Sequence, residues 1–303
     1  MFLGGMGRGD TALDALSASA PRRTISGYME DRIRSPYVSP GTGASYLVRP
    51  QDHNPHVPHN LHFVAGDEQL EIQGARVLGA TIPGPTDAWR VVHTWISDFI
   101  GDVRRFWNAQ DLTVFVDCNP SFSICTELAL SASDRLIIPF SADGSSRRAV
   151  RAVLALLYGI TRQPGAQQSE FFINSNAFRL SIPRIYCYVR NRLTQYLTSA
   201  KAFRTVVNEI GNEIWAVWQT SSGVFQLHPA GSPVPQSRGA FKHMFQFEIV
   251  GANTASVISG ALGIPIVRMT AGVHDVVGRR VAVNQSQLER QQPNIRDLVA
   301  VIE

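Results

Sequence analysis

The sequence predicts an α/β fold: a doubly wound, mostly parallel sheet flanked by helices. Three observations carry that expectation. Residues 113–117, 135–140 and 182–189 are short apolar runs bounded by loops, the composition of strands covered on both faces. Segments with apolar residues at helical spacing lie around them, among them 87–107, 124–132 and 193–207. Runs and helices alternate through short connections, as βα units do.

Taken in order, residues 1–10 read as a loop. Gly4, Gly5, Gly7 and Gly9 surround Met6 and Arg8, without the strand, helix and Lys-Ser/Thr pair that a phosphate loop requires. A short helix follows, capped by Asp10 or Thr11. A second has Thr24 as its cap and Ile25, Tyr28, Met29 and Ile33 on one face. Residues 35–60 form an irregular connection rich in Pro, Gly and His. His53, His56, His59 and His62 recur at every third position, which on an extended segment sets them along one edge. Their spacing fits no common zinc pattern, and a polar loop is the plainer reading.

Residues 61–66 read as a short strand and 67–77 as a helix. The helix over 87–107 carries Trp89, Val92, Trp95, Ile96, Phe99, Ile100, Val103, Phe106 and Trp107 as a core-facing stripe. Beyond the strands at 113–117 and 135–140, a helix opens at 145–151 and turns Val150, Val153, Leu154, Leu157 and Ile160 inward. The strand at 182–189 leads to a helix with Leu193, Tyr196, Leu197, Ala200, Phe203 and Val207 on its apolar face. A short apolar piece (214–218), a turn-rich stretch (221–238) and an alternating run (244–250) follow. A small helix over 252–262 is ended by Gly263, and a last helix spans 285–302. No repeat and no linker divides the chain, so residues 1–303 are expected to form a single domain.

Composition narrows the class. The 303 residues are 44% hydrophobic and 17% charged, which excludes wholesale disorder and supports a sizeable core. A net charge of +4 is compatible with nucleic-acid contact without demanding it. Cys118, Cys125 and Cys187 are odd in number and form no CxxC, so a disulfide framework is not expected. With no run long enough for a membrane helix and no signal-like start, the expected location is cytoplasmic.

The chemistry centres on residues 112–121. An apolar strand there ends on Asp117, and parallel sheets place ligands at the carboxyl ends of their strands. A carboxylate at that position holds Mg²⁺ or positions a water in nucleotide enzymes, or else caps the next helix. Arg147, Arg148 and Arg151 crowd the start of a helix, as a solvated face or as contacts to a DNA phosphate backbone.

Val116-Asp117-Cys118-Asn119-Pro120-Ser121, the helix with Leu128 and Ala129, Ser133-Asp134 and Leu136-Ile137-Ile138-Pro139 together resemble the ParA/MinD family of deviant P-loop ATPases. That family has an Asp-Cys-Pro-Pro-Ser loop, a helix and a strand ending in Ile-Pro at this spacing. Asn60–Gly66 followed by an acidic helix start is similar to the strand before the family's Walker B segment. Thr24-Ile25-Ser26-Gly27-Tyr28 resembles its helix after switch I. The loose likeness runs from about Thr24 to the last helix, and only the block from Asp117 to Pro139 is specific. Asn119 departs from the family, which has Pro there.

The resemblance implies a P-loop NTPase-like sheet that binds ATP and Mg²⁺. It makes Asp117 the Walker B carboxylate, catalytic and metal-side. Cys118, Asn119 and Pro120 become part of switch II at the nucleotide, and Asn191 a base contact. It also implies a homodimer formed with ATP, non-specific DNA binding for which Arg147, Arg148 and Arg151 are candidates, a partition partner protein, and a role in plasmid or chromosome segregation. A membrane role has no amphipathic basic C-terminal helix behind it.

The family's Lys-Gly-Gly-Val-Gly-Lys-Ser/Thr loop and its flanking strands are not in these 303 residues. Without them no cluster of backbone N–H groups and no lysine meets the phosphates. The chain is therefore expected to be an N-terminally incomplete, catalytically deficient form of an ATPase, with the apolar strands beside the absent ones exposed. The alternative is a non-catalytic binding or scaffold module that keeps the fold. A Rossmann oxidoreductase is disfavoured, because no Gly-x-Gly-x-x-Gly follows a strand.

Overall fold

Up to residue 131 the chain folds as helices and irregular connections, and the ladder strands come after it. The structure is a computed structural model that describes residues 1–82, 84–118, 122–141, 143–163, 165–193, 200–251 and 253–302.

Helix α1 (Arg8–Ala18) starts inside the stretch expected to be loop. Gly7 precedes it with φ 82°, and its N–H donates to the Asp10 carboxylate. The glycines before it allow a close approach: a side chain on Gly5 would collide with the Ala261 carbonyl. α2 (Ile25–Arg34) begins after Thr24, as expected. The Thr24 hydroxyl does not cap it, and bonds to Asp67 instead. Residues 61–66 make only isolated bridges, Val48 with Phe63 and Ala65 with Thr24. α3 (Gln69–Gly79) follows.

The long helix predicted over 87–107 is broken into α4 (Ala88–His93) and α5 (Trp95–Trp107) at Thr94. The Thr94 hydroxyl donates to the Val91 carbonyl, a local bond that competes with the helical ladder. Most of the predicted stripe is inside: Val92, Trp95, Ile96, Phe99 and Val103 are buried. Phe106 is exposed. α6 (Ile124–Ser131) closes this layer against Met29, Val77 and Trp95.

β1 (Arg135–Phe140) leads through α7 (Gly144–Tyr158) and α8 (Glu170–Ala177) to β2 (Arg184–Leu193). α9 (Ala200–Ser221) and α10 (Arg238–Phe245) then lead to β3 (Gln246–Val250). The three strands form a parallel sheet in the order β1-β2-β3. On one face Ile138, Ile185 and Tyr188 pack under Val150 and Leu154 of α7, Ile210 and Ile214 of α9, and Phe241 and Phe245 of α10. The 214–218 piece is thus the second half of one 22-residue helix.

The chain ends in α11 (Asn253–Leu262), the antiparallel pair β4 (Gly272–Val276) and β5 (Arg279–Val283), and α12 (Gln285–Ile302). Leu298, Val301 and Ile302 of α12 cover the other sheet face at Ile137, Cys187 and Val189. The sheet is therefore flanked by helices on both faces. The β4–β5 turn places Val277 and Gly278 at φ 52° and 74°, the signature of a two-residue hairpin turn.

One expectation fails in its central element. Residues 113–117 form no ladder strand. The segment is irregular, and Val114, Phe115 and Val116 are 45%, 70% and 39% exposed. A strand read as covered on both faces needs neighbours on both edges, and here it has none among the described residues.

Arg32 is a charged group buried inside the helical layer. It is fully buried, donates to Asp98 at 2.8 Å, and lies over the Trp95 ring at 5.3 Å. Removing it leaves a void and strips a partner from a carboxylate. Arg32→Ala is expected to lower stability by about 3 kcal/mol in urea denaturation. Arg32→Met keeps the volume and should cost clearly less, because Asp98 is 34% exposed and can be hydrated.

Candidate functional site

Asp117 sits at the end of the exposed, unpaired segment rather than at the end of a sheet strand. Its neighbour Cys118 is also exposed. Asn119 and Pro120 lie outside the described residues. Asn191 is exposed and belongs to β2 itself, so it neither follows the strand nor caps α9. No hydrogen bond or ion pair among the described residues joins Asp117 to Asn191.

The residues present do not complete a nucleotide or metal site around Asp117. No group of three or more His, Cys, Asp or Glu among the described residues is arranged to hold a metal. The only lysines in the sequence are Lys201 and Lys242, so no loop before Asp117 carries one. His53, His56 and His59 are exposed, and the residues that segment turns inward are Asn54 and Val57. The Asn54 amide donates to the carbonyls of Met1 and Gly263, so it tethers the start of the chain to the end of α11.

The structure does bring the predicted arginines together, around carboxylates. Arg147 and Arg151 of α7 and Arg162 beyond it converge on Glu213 of α9, and Arg147 also pairs with Glu209. Burial pushes the Glu213 carboxyl up, but bonds from Arg151 and Arg147 outweigh it and hold the group below its ordinary value. These arginines cross-link α7 to α9. A phosphate seeking Arg147 or Arg151 meets guanidinium groups already engaged by carboxylates. Arg148 is exposed.

Sequence reasoning passed over Asp67, an enclosed carboxylate network in the helical half. The Asp67 side chain is 4% exposed. It accepts from the Thr24 hydroxyl at 2.6 Å, from Arg22 at 3.0 Å and from the Gln69 N–H at 3.1 Å. Ser26 bonds to Thr24 and is fully buried with it. This fixes the start of α2 to the start of α3. The only sign in the sequence was an acid at the opening of the helix expected over 67–77.

A second cluster was also passed over. Asn208 and Asn212 of α9 face Arg238, Gly239 and Lys242 of α10 across an open cavity of about 480 Å³. Compared with known proteins, the chain matches no family model, no curated protein and no solved structure.

The Asp67 network predicts an acid-labile contribution to stability. Burial raises this carboxyl, but bonds from Ser26, Thr24 and Arg22 outweigh it and hold it below 3.8. A depressed carboxyl stabilises above its unfolded value and loses that contribution as pH falls through the folded one. Asp67→Asn is expected to cost about 1–3 kcal/mol at pH 7. It should also flatten the fall in urea midpoint below pH 4. An unchanged acid limb would show that the network is not what the carboxylate stabilises.

Proposed function

We propose that this chain is a ParA/MinD-like ATPase relative that acts in plasmid or chromosome partitioning and is catalytically incomplete by itself. The observation that carries the reading is the exposure of the apolar run Val114, Phe115 and Val116, in a chain whose parallel sheet leaves β1 at one edge. In this reading the family's phosphate loop and its strands, absent from these 303 residues, are what the apolar run would pair with.

α6 begins at Ile124, and β1 carries Ile138 and Pro139 towards its end, which is compatible with the helix and strand of the resembling block. Pro139 suits a strand with a free edge, because it lacks an N–H to offer the ladder. In this reading Asp117 is the metal-side carboxylate of a nucleotide site whose phosphate-binding half must come from outside these residues. ATP and Mg²⁺ are its cofactors, and ATP-dependent dimerisation, DNA and a partition partner its context.

A binding or scaffold module that retains the fold is the second reading. It is favoured by the same vacant surroundings of Asp117, where no described residue pairs with the carboxylate. The two readings separate by experiment. On the first, the 303-residue chain shows no measurable ATP·Mg²⁺ binding by calorimetry, while the chain joined upstream to a Gly-Lys-Gly-Gly-x-Gly-Lys-Ser/Thr loop and its strands binds and hydrolyses ATP. Asp117→Ala in that longer protein then abolishes turnover, a loss of at least a hundredfold. Normal ATP affinity of the 303-residue chain, or unchanged turnover on Asp117→Ala, would contradict it. Binding without turnover in the longer protein supports the module.

A further inference from the structure

α9 and α10 set two pairs of side chains across one groove. Asn208 and Asn212 stand one turn apart on α9, and Arg238 and Lys242 one turn apart on α10. The cations are placed against their own interests. Two like charges at this spacing repel, and Arg238 sits in the first turn of a helix, where the dipole disfavours positive charge. No carboxylate among the described residues pairs with either. The acids of α9, Glu209 and Glu213, are held by Arg147, Arg151 and Arg162 on the α7 side.

The remaining polar groups are donors. Arg238 donates to the Asn212 side-chain oxygen, which leaves the Asn212 NH₂ as a donor. Ser237 caps α10 by accepting from the Ala240 N–H at 3.2 Å, so the Gly239 N–H has no intrahelical acceptor. Two cations, two side-chain amides and a glycine of the first helical turn therefore line one open surface groove, and no carboxylate among the described residues pairs with the cations.

We propose that this groove binds an anionic ligand through a phosphoryl group, held by Arg238, Lys242 and the N–H groups of Asn208, Asn212 and Gly239. More donors converge than the two oxygens of a carboxylate use, and they approach from two helices, as a tetrahedral anion requires. The groove is open to solvent, so the remainder of a larger molecule that carries the phosphoryl group can extend out of it. The source is a free phosphorylated small molecule or the phosphodiester of a nucleic-acid strand. The groove shares no residue with the Asp117 segment, and its occupancy is independent of the ATPase reading.

Lys242 gives a direct readout, because Lys201 is the only other lysine. Reductive ¹³C-dimethylation keeps the lysine charge and adds two resolvable signals to that of the terminal amine. Titration with inorganic pyrophosphate at constant ionic strength is expected to move the Lys242 signal saturably and leave Lys201 nearly still. Arg238→Gln should weaken the apparent affinity at least tenfold with an unchanged urea midpoint. Lys242→Gln should do the same by calorimetry. Equal, non-saturating shifts at both lysines, or full affinity in Arg238→Gln, would overturn the site. An oligonucleotide without terminal phosphate that displaces pyrophosphate supports the site with a phosphodiester source. No displacement, with pyrophosphate still bound, supports it with a free phosphorylated ligand.

Discussion

An apolar strand is stable only when its backbone groups are paired and its faces are covered, and the region around Asp117 turns on that requirement. Residues 113–117 have the composition of a buried strand and the surroundings of a surface segment. Elsewhere the requirement is met. β2 lies between β1 and β3, with Ile185, Cys187 and Tyr188 fully buried. Helices α7, α9 and α10 close one face and α12 the other. The contrast between β2 and residues 113–117 is one of available neighbours, since both are rich in β-branched and aromatic side chains.

Charge placement adds a second constraint. The mild basic excess of the chain does not settle on α7, where the clustered arginines suggested it would. Glu213 and Glu209 take up Arg147, Arg151 and Arg162, and the resulting network joins two helices above the sheet. Arg238 and Lys242 line the groove between α9 and α10 without a carboxylate partner among the described residues. One helix thus carries acids on the face towards α7 and amides on the face towards α10, a division set by the roughly 100° rotation between successive residues.

Much of the fold was legible because its signals are local. Thr24 before α2, Gly263 after α11 and the apolar spacing of α5, α6 and α12 all placed their elements correctly. The parallel sheet followed from the runs at 135–140 and 182–189. What could not be read was set by tertiary context. The break at Thr94 coincides with a side-chain bond to Val91, and α10 starts where the turn-rich stretch ends and runs into residues that read as alternating. The β4–β5 pair was passed over because Val277-Gly278 is an unusual sequence for a tight turn. The candidate site was less legible still. Asp117 was visible as a carboxylate after an apolar run, but its exposure depends on partners the run does not encode. The Asp67 network and the α9–α10 groove each need two helices in register, which no single stretch of sequence specifies.

The central proposal is that residues 113–117, irregular and exposed here, lack the pairing neighbours that their apolar composition calls for. Hydrogen exchange at their backbone amides tests this most directly. In the 303-residue chain these amides should exchange nearly as fast as an unstructured peptide, while the amides of β2 are strongly protected. Joined to the phosphate loop and its strands, the same amides should slow by at least a hundredfold. Strong protection in the 303-residue chain, or fast exchange that persists in the longer protein, would contradict the account.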